Sequence, residues 1–370
     1  VKTKVAAVTC GSYDLEEVYS SVAEAIRRIG FVIPENKTVL IKPNIMSQNK
    51  PEQNTITHYS VVDALCRILA EKNNRILIGE SISFYLSGLT EEAFKTSRID
   101  EVAAKYGARL VPFEGEPLVE VKGLYIPKVL LEADLVINVS KLKTHLVMRM
   151  SGAIKNMFGC LPGGYKQKMH LLSNTRLELA EVFVTINEIV KPALNVMDAV
   201  VSLDGGPAAN GKPVKTSRIL ASANPAALDA VACRIMGYAP EEIPALACAK
   251  KSRMIGDYSE IELLGSVDQK KFEKLKRGPL NEGYKSNGFF SRNGYAWLLI
   301  DDSKCTRCGE CIDQCPVKAI RAEHDEIILD KDRCINCYHC IYVCPEKAVN
   351  ADQPFVIRMI WKLAKALKFA

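Results

Sequence analysis

The sequence has no run of about 18 uncharged apolar residues, the length needed for a membrane-spanning helix. Its first residues, VKTKVAAVTCGSYD, lack the basic stretch followed by roughly 7 to 15 apolar residues that marks an export signal. The expectation is a cytoplasmic protein. Neither G-x-G-x-x-G nor a Walker pattern follows the first strand, so nicotinamide and nucleoside triphosphates have no fingerprint. Charge of one sign is not concentrated: residues 1–300 carry 38 Lys+Arg against 32 Asp+Glu, without a basic stripe, which sets nucleic acid aside as a partner. What remains is an ordinary globular composition, 48% hydrophobic and 25% charged with 22 Gly and 17 Pro. Single cores stop growing at roughly 250 to 300 residues, so 370 residues predict more than one domain.

Thirteen cysteines would suggest a disulfide scaffold in a short secreted chain, but this chain is long. Cys10, Cys66, Cys160, Cys233 and Cys248 are scattered, and the other eight lie between 305 and 344. Those eight form two copies of one run, Cys305-x2-Cys308-x2-Cys311-x3-Cys315-Pro316 and Cys334-x2-Cys337-x2-Cys340-x3-Cys344-Pro345, offset by 29 residues. The run resembles that of bacterial ferredoxins over residues 297–352. Three thiolates two residues apart can wrap three corners of an iron cube, while the fourth sits too far round and serves the cluster of the other repeat. The resemblance implies two 4Fe-4S clusters: Cys305, Cys308, Cys311 and Cys344 for the first, and Cys334, Cys337, Cys340 and Cys315 for the second. Paired zinc sites are the competing reading, disfavoured because zinc commonly takes two separated C-x2-C pairs. His339, between two of the ligands, could tune a cluster but is expected at the surface.

Before the cysteine repeat, short β-rich runs alternate with helical periodicity. The pattern predicts strands at Val5–Cys10, Val39–Lys42, Arg75–Gly79, Arg109–Phe113 and Leu135–Val139, with helices at Leu15–Ile29, Ser60–Glu71 and Thr90–Tyr106. That order reads as an α/β domain over 1–290, a mostly parallel sheet with helices on both faces, followed by a small α+β ferredoxin-type domain over 297–352. Ligands of such sheets collect beyond the carboxyl ends of the strands, where the sequence delivers Lys42-Pro43-Asn44, Gly79-Glu80-Ser81 and Lys141-Leu142-Lys143-Thr144-His145. The stretch Lys141–His170 holds six lysines and arginines, two histidines and no acid, punctuated by Gly152, Gly159, Gly163 and Gly164. A basic loop whose glycines let backbone amides approach a ligand suits an anionic group. Strands at Asn195–Asp198 and Arg218–Ala223 follow, and Asn224-Pro225 reads as a helix cap. Asp198, Asp204 and Asp229 could bind a metal, orient a lysine or cap. Cys160 reads as a plain buried thiol, with a reactive thiol as the competing reading.

On KPN (Lys42–Asn44), KLKTH (Lys141–His145), SGAIKNMFGCLPG (Ser151–Gly163), the DGGP turn from Asp204 and ALDAVA (Ala227–Ala232), the chain resembles the family called domain of unknown function 362, often fused to a two-cluster ferredoxin module. The resemblance implies an iron-sulfur protein of unassigned activity. A more distant similarity to nickel-pincer lactate racemases implies a like fold and basic pocket.

The site expected from these residues places Lys42, Asn44, Lys141, Lys143, Asn156 and Gly159 around an anionic substrate, with His145, His170 and Lys155 as the catalytic group. Histidine titrates near neutral pH, which makes His145 or His170 the expected general acid. A redox partner protein would exchange electrons with the clusters; an electron carrier or cluster-delivery protein, whose α/β domain only docks partners, is the alternative. The tail, 353–370, places Arg358, Lys362, Lys365 and Lys368 on one face of an amphipathic helix, expected to dock on the acidic cysteine module in preference to a membrane.

Overall fold

Apolar runs and amphipathic helices alternate along the chain, and the computed structural model, which describes residues 2–82, 90–205, 211–273, 297–324, 326–352 and 359, turns them into a nine-stranded sheet. Its strands are β1 (Thr3–Thr9), β2 (Thr38–Lys42), β3 (Arg75–Glu80) and β4 (Arg109–Pro112), then, after a small hairpin of β5 (Leu118–Val121) and β6 (Leu124–Pro127), β7 (Leu135–His145), β8 (Arg149–Ser151), β9 (Leu194–Asp204), β10 (Lys212–Ser222) and β11 (Ile261–Gly265). Across the sheet the order is β11-β1-β10-β9-β7-β2-β3-β4, with β8 on β7. β9, β7, β2, β3 and β4 run parallel to one another, as do β1 and β11, while β10 runs against both its neighbours. The fold is α/β, as the alternation predicts.

Both faces of the sheet are covered. Val39, Ile41, Ile76, Ile78, Ile137 and Val139 point to one core, under the helices Leu15–Ile29, Tyr59–Ala70 and Ile99–Tyr106. Their neighbours Leu40, Leu77 and Val136 point to the other, under Arg176–Val190, Pro225–Ile235 and Pro244–Lys251. Burial on two sides is why these strands read as continuous apolar runs rather than alternating ones. The helix Leu15–Ile29 begins where Asp14 accepts from the amides of Glu16 and Glu17 and ends at Gly30, with φ 72°. Asn224 caps Pro225–Ile235 in the expected way.

Three expectations are corrected. The helix predicted over Thr90–Tyr106 breaks into Thr90–Thr96 and Ile99–Tyr106, because the Ser97 hydroxyl bonds back to the carbonyls of Ala93 and Phe94 and Arg98 turns left-handed. The strand predicted to stop at Val139 continues to His145, and the one predicted to stop at Asp198 continues to Asp204. Charge looks like a strand end in a sequence, but Lys141 and Asp198 are register partners in the sheet and pair with each other there. The third correction follows: Lys141–His170 is not a loop. It is built from the end of β7, β8, the short helix Ala153–Asn156 and the helix Tyr165–Leu172.

The C-terminal module has internal twofold character. β12 (Trp297–Ile300), the helix Glu310–Asp313 and β13 (Ile320–Glu323) form one copy; β14 (Glu326–Leu329), the helix His339–Val343 and β15 (Val349–Asp352) form the other. Each strand pairs across copies, β12 with β15 and β13 with β14. Left-handed residues recur at the repeat offset, Arg307 with Asn336, Gly309 with Tyr338 and Lys318 with Lys347. The tail at 353–370 lies, apart from Met359, outside the described residues, and no helix among them is long and apolar enough to cross a membrane.

Candidate functional site

Two hollows in the module are each ringed by four cysteines. Cys305, Cys308, Cys311 and Cys344 line one; Cys315, Cys334, Cys337 and Cys340 line the other. This crossed grouping follows from the paired copies, which bring the fourth cysteine of each run to the other copy's loop. Backbone amides point at the sulfurs: Ala319 N lies 3.2 Å from Cys315 Sγ, Ala348 N 3.2 Å from Cys344 Sγ and Asn336 N 3.4 Å from Cys334 Sγ. Burial followed by repulsion from its neighbours pushes the Cys337 thiol up to about 12 and Cys340 well up. Four such thiolates need a strongly cationic occupant. A hollow ringed by four cysteines suits an iron-sulfur cube, which takes four thiolates.

The second loop is docked on the α/β domain. Cys334, Cys337 and Cys340 are buried, whereas Cys308 is exposed and Cys305 and Cys311 are half-buried. Gly164 N donates to Asn336 O at 2.8 Å, Lys168 Nζ to Cys334 O at 3.2 Å, and Ile335 and Cys337 belong to the same apolar core as the sheet. A Cβ on Gly163 or Gly164 would strike the Tyr338 ring, so these two glycines make room for the cysteine loop. His339, expected at the surface, is 2% exposed, with Nδ1 2.9 Å from Glu114 O.

Beneath that contact, β2, β3 and the helix Tyr165–Leu172 bring cations and carboxylates together. Lys42 Nζ reaches Glu80 Oε2 at 2.5 Å in a pair almost fully buried, and Gly159 has no Cβ because Glu80 and Lys42 occupy its place. Lys166 Nζ donates to Ser81 O, Ser81 Oγ and Ile82 O, and burial brings it down to about 8. Burial, then Lys42 and Lys166, also bring Lys155 down to about 8, and among the described residues no carboxylate counters it. Its ammonium stands 5.9 Å from the Phe183 ring centroid. Lys143 is bound to Asn44 Oδ1, Met46 Sδ and Thr55 O, and burial with Lys155 and Lys141 nearby holds it well below the usual lysine range. Two residues before Lys143 on β7, Lys141 Nζ meets Tyr13 Oη at 2.6 Å and Asp198 Oδ2 at 2.9 Å.

Residues 39–234 match the family described as domain of unknown function 362, and residues 298–348 match a 4Fe-4S dicluster domain. The chain belongs to the domain of unknown function 362 family. A thylakoid-associated protein of Synechocystis is 28% identical over 258 residues, covering 65% of this chain and 76% of that one. Among solved structures, the lactate racemase apoprotein of Thermoanaerobacterium thermosaccharolyticum aligns with 16% identity and a TM-score of 0.39 over 64% of this chain, spanning 57% of the racemase. A Thermotoga maritima protein aligns with 13% identity and a TM-score of 0.35, over 56% of this chain and 54% of that one. This family member binds 4Fe-4S iron-sulfur clusters and has an electron-transfer role.

In this domain of unknown function 362 protein, the residues expected around a ligand fall into three groups. Lys42, Lys143, Lys155 and His170 are electrostatic neighbours, and burial with Lys155 brings His170 down to about 4. Asn44 and Asn156 join a row of amides in which Asn44 Nδ2 donates to Asn156 Oδ1, Asn156 Nδ2 to Asn138 Oδ1 and Asn138 Nδ2 to Asn195 Oδ1, each within 2.9 Å. His145 accepts at Nδ1 from the amides of Val147 and Met148, fixing the turn into β8. The aspartates have protein partners: Asp198 holds Lys141 and Tyr13, Asp204 accepts from Glu273 N, and Asp229 caps Ala153–Asn156 and fills the space a Gly152 side chain would need. Burial pushes Cys160 up to about 12, the inert case. Sequence reasoning missed Tyr13 and Glu114. Both follow strand ends, so the rule that pointed to Lys42 could have found them.

Proposed function

We propose that this protein relays electrons one at a time from a redox partner protein, through the first four-cysteine set and then the second, to an anionic substrate or cofactor at Lys155. One observation carries the reading: the loop of the second set is packed on Gly163 and Gly164, in the same stretch that supplies Lys155 and Lys166. Each set would hold one 4Fe-4S cluster, two in all, and a bound cluster supplies one-electron redox chemistry. The exposed Cys308 supports entry at the first set.

Lys155, countered by no carboxylate among the described residues, is the charge an anion would neutralise, with Lys42 and Lys143 as its electrostatic neighbours. His170 is neutral at pH 7, so proton donation passes to Lys155 or Lys166, whose values of about 8 suit a general acid near neutrality. His145 acts in positioning, through the β7–β8 turn. A cytoplasmic location completes the reading. The thylakoid-associated relative makes membrane contact the alternative, separated by vesicle sedimentation with and without residues 354–370.

The test is anaerobic purification, an iron and sulfide count, and mass spectrometry of co-purified small molecules from wild type and Lys155→Ala. The relay predicts about eight irons per chain in both and an anionic ligand in wild type alone. The same iron count with no ligand in either would contradict it and favour a plain electron carrier.

A further inference from the structure

The cysteine module and the lysine site meet at Glu114. This residue stands on the turn Phe113–Gly115 and is 4% exposed. Its carboxylate accepts from Ser81 Oγ at 2.5 Å, Thr90 Oγ1 at 3.0 Å and the Gly163 amide at 3.2 Å, all neutral donors. Its backbone carbonyl meets His339 Nδ1, and the neighbouring Gly115 packs on Tyr342, both from the helix of the second cysteine loop. On the other side, Ser81 Oγ accepts from Lys166 at 2.8 Å and Ser81 N donates to Glu80 Oε1 at 3.1 Å. Glu80 in turn holds Lys42. His339, Glu114 and Ser81 thus link the second cysteine loop to Lys166, with the Glu114 carboxyl between the loop and the lysine site.

A buried carboxylate served only by neutral donors is costly to keep ionised. Burial raises the proton affinity of Glu114, opposed first by the charge of Lys166 and then by its hydrogen bonds. The charged and titratable groups facing it are few. Lys166 comes from Tyr165–Leu172, Glu80 from the end of β3, and His339 and Tyr342 from the cysteine loop, with Glu91 bonded to Tyr342 from Thr90–Thr96. Lys166 stands one hydroxyl away. An electron arriving in the second ring adds negative charge on the side of Glu114 opposite that lysine, and charge of like sign favours the protonated carboxyl.

We infer that Glu114 takes up one proton from solvent as the second cluster gains one electron, and gives it up when the electron moves on. The inference deepens the relay proposed above and rests on it. Charge balances: one electron enters from a low-potential one-electron donor, and one carboxylate becomes a carboxylic acid. The lysine site then sits beside an electron and a proton that are supplied together.

The test is an anaerobic potentiometric titration of the intact protein with viologen mediators, followed by electron paramagnetic resonance at several pH values. In wild type one of the two midpoint potentials should fall by about 59 mV per pH unit, the one-electron equivalent of a tenfold change in proton concentration. Glu114→Gln should flatten that slope while the iron count stays unchanged. A slope that survives in Glu114→Gln, or its absence in wild type, overturns the inference. Infrared difference spectra of wild type give a second reading that needs no variant. Reduction should create a carboxylic acid C=O band that shifts in D2O, and no such band overturns the proposal. A flat wild-type slope with anion binding intact removes the proton step alone. A normal slope with no anion bound supports the proton step and removes only the relay's destination.

Discussion

Residues 305–315 and 334–344 share their cysteine spacing and their left-handed positions, yet Cys308 is exposed and its counterpart Cys337 is buried. The difference lies in what each copy touches. Gly309 takes φ 85° in open space, whereas its equivalent Tyr338 takes φ 62° with its ring against Gly163 and Gly164. A left-handed side chain costs about 1–2 kcal/mol, and burying an aromatic ring returns a similar amount or more. Duplicated loops with the same metal-binding pattern thus become different devices: one exposed at Cys308, the other part of an α/β core. Burial and neighbouring dipoles are also what set cluster potentials, so the two copies need not share one.

The comparison can be broken from its buried side. Lys42→Met removes the cation paired with Glu80, a carboxyl whose proton affinity burial already raises, and should destabilise the α/β domain by about 3–5 kcal/mol, read by denaturant unfolding, with the Lys42→Met/Glu80→Leu double variant recovering much of the loss. Gly163→Val should cost about 1–3 kcal/mol by overpacking and release iron from the second set first, because its side chain would collide with Tyr338. Gly309→Ala meets no neighbour and is expected to cost only the backbone strain, about 1–2 kcal/mol, with iron lost from the first set; metal release followed by spectroscopy separates the two.

pH sharpens the contrast. Lys155 and Lys166 sit at about 8 in the fold, so binding of an anion should be constant below that value and weaken above it. The sign for stability is opposite. Between about 8 and the unfolded lysine value near 10.4 the unfolded chain holds more protons than the native one, so this pair makes stability rise with pH there. Urea midpoints across that range check it. The smallest effect is expected at the open copy. Residues 301–350 carry 10 acidic against 7 basic residues, so reduction by a cationic carrier should slow a few-fold as salt rises, while transfer between the two sets stays unaffected in stopped-flow traces.

Much of this was legible in the sequence because it depends on spacing. The eight cysteines, the parallel strands from Val39 to Val139 and the Asn224 cap all follow from local pattern. What escaped depends on pairing across the sheet. KLKTH looks like a charged loop until Asp198 is seen opposite Lys141. Gly163 and Gly164 look like a ligand cradle until Tyr338 is seen filling the space. His339 looks exposed because a complete ligand set needs no histidine, and only docking on Glu114 buries it. In each case the deciding partner lies far away in sequence, at separations where a single sequence carries no local signal.

The central claim is that the first set faces the outside carrier and the second faces the lysine site. It is tested most directly by adding a soluble paramagnetic relaxation agent to the anaerobically reduced protein and measuring electron spin relaxation, with Cys308→Ser and Cys337→Ser variants used to assign the signals. Strong relaxation of the first signal and weak relaxation of the second is the predicted result. Equal relaxation of both, or the reverse order, would contradict it.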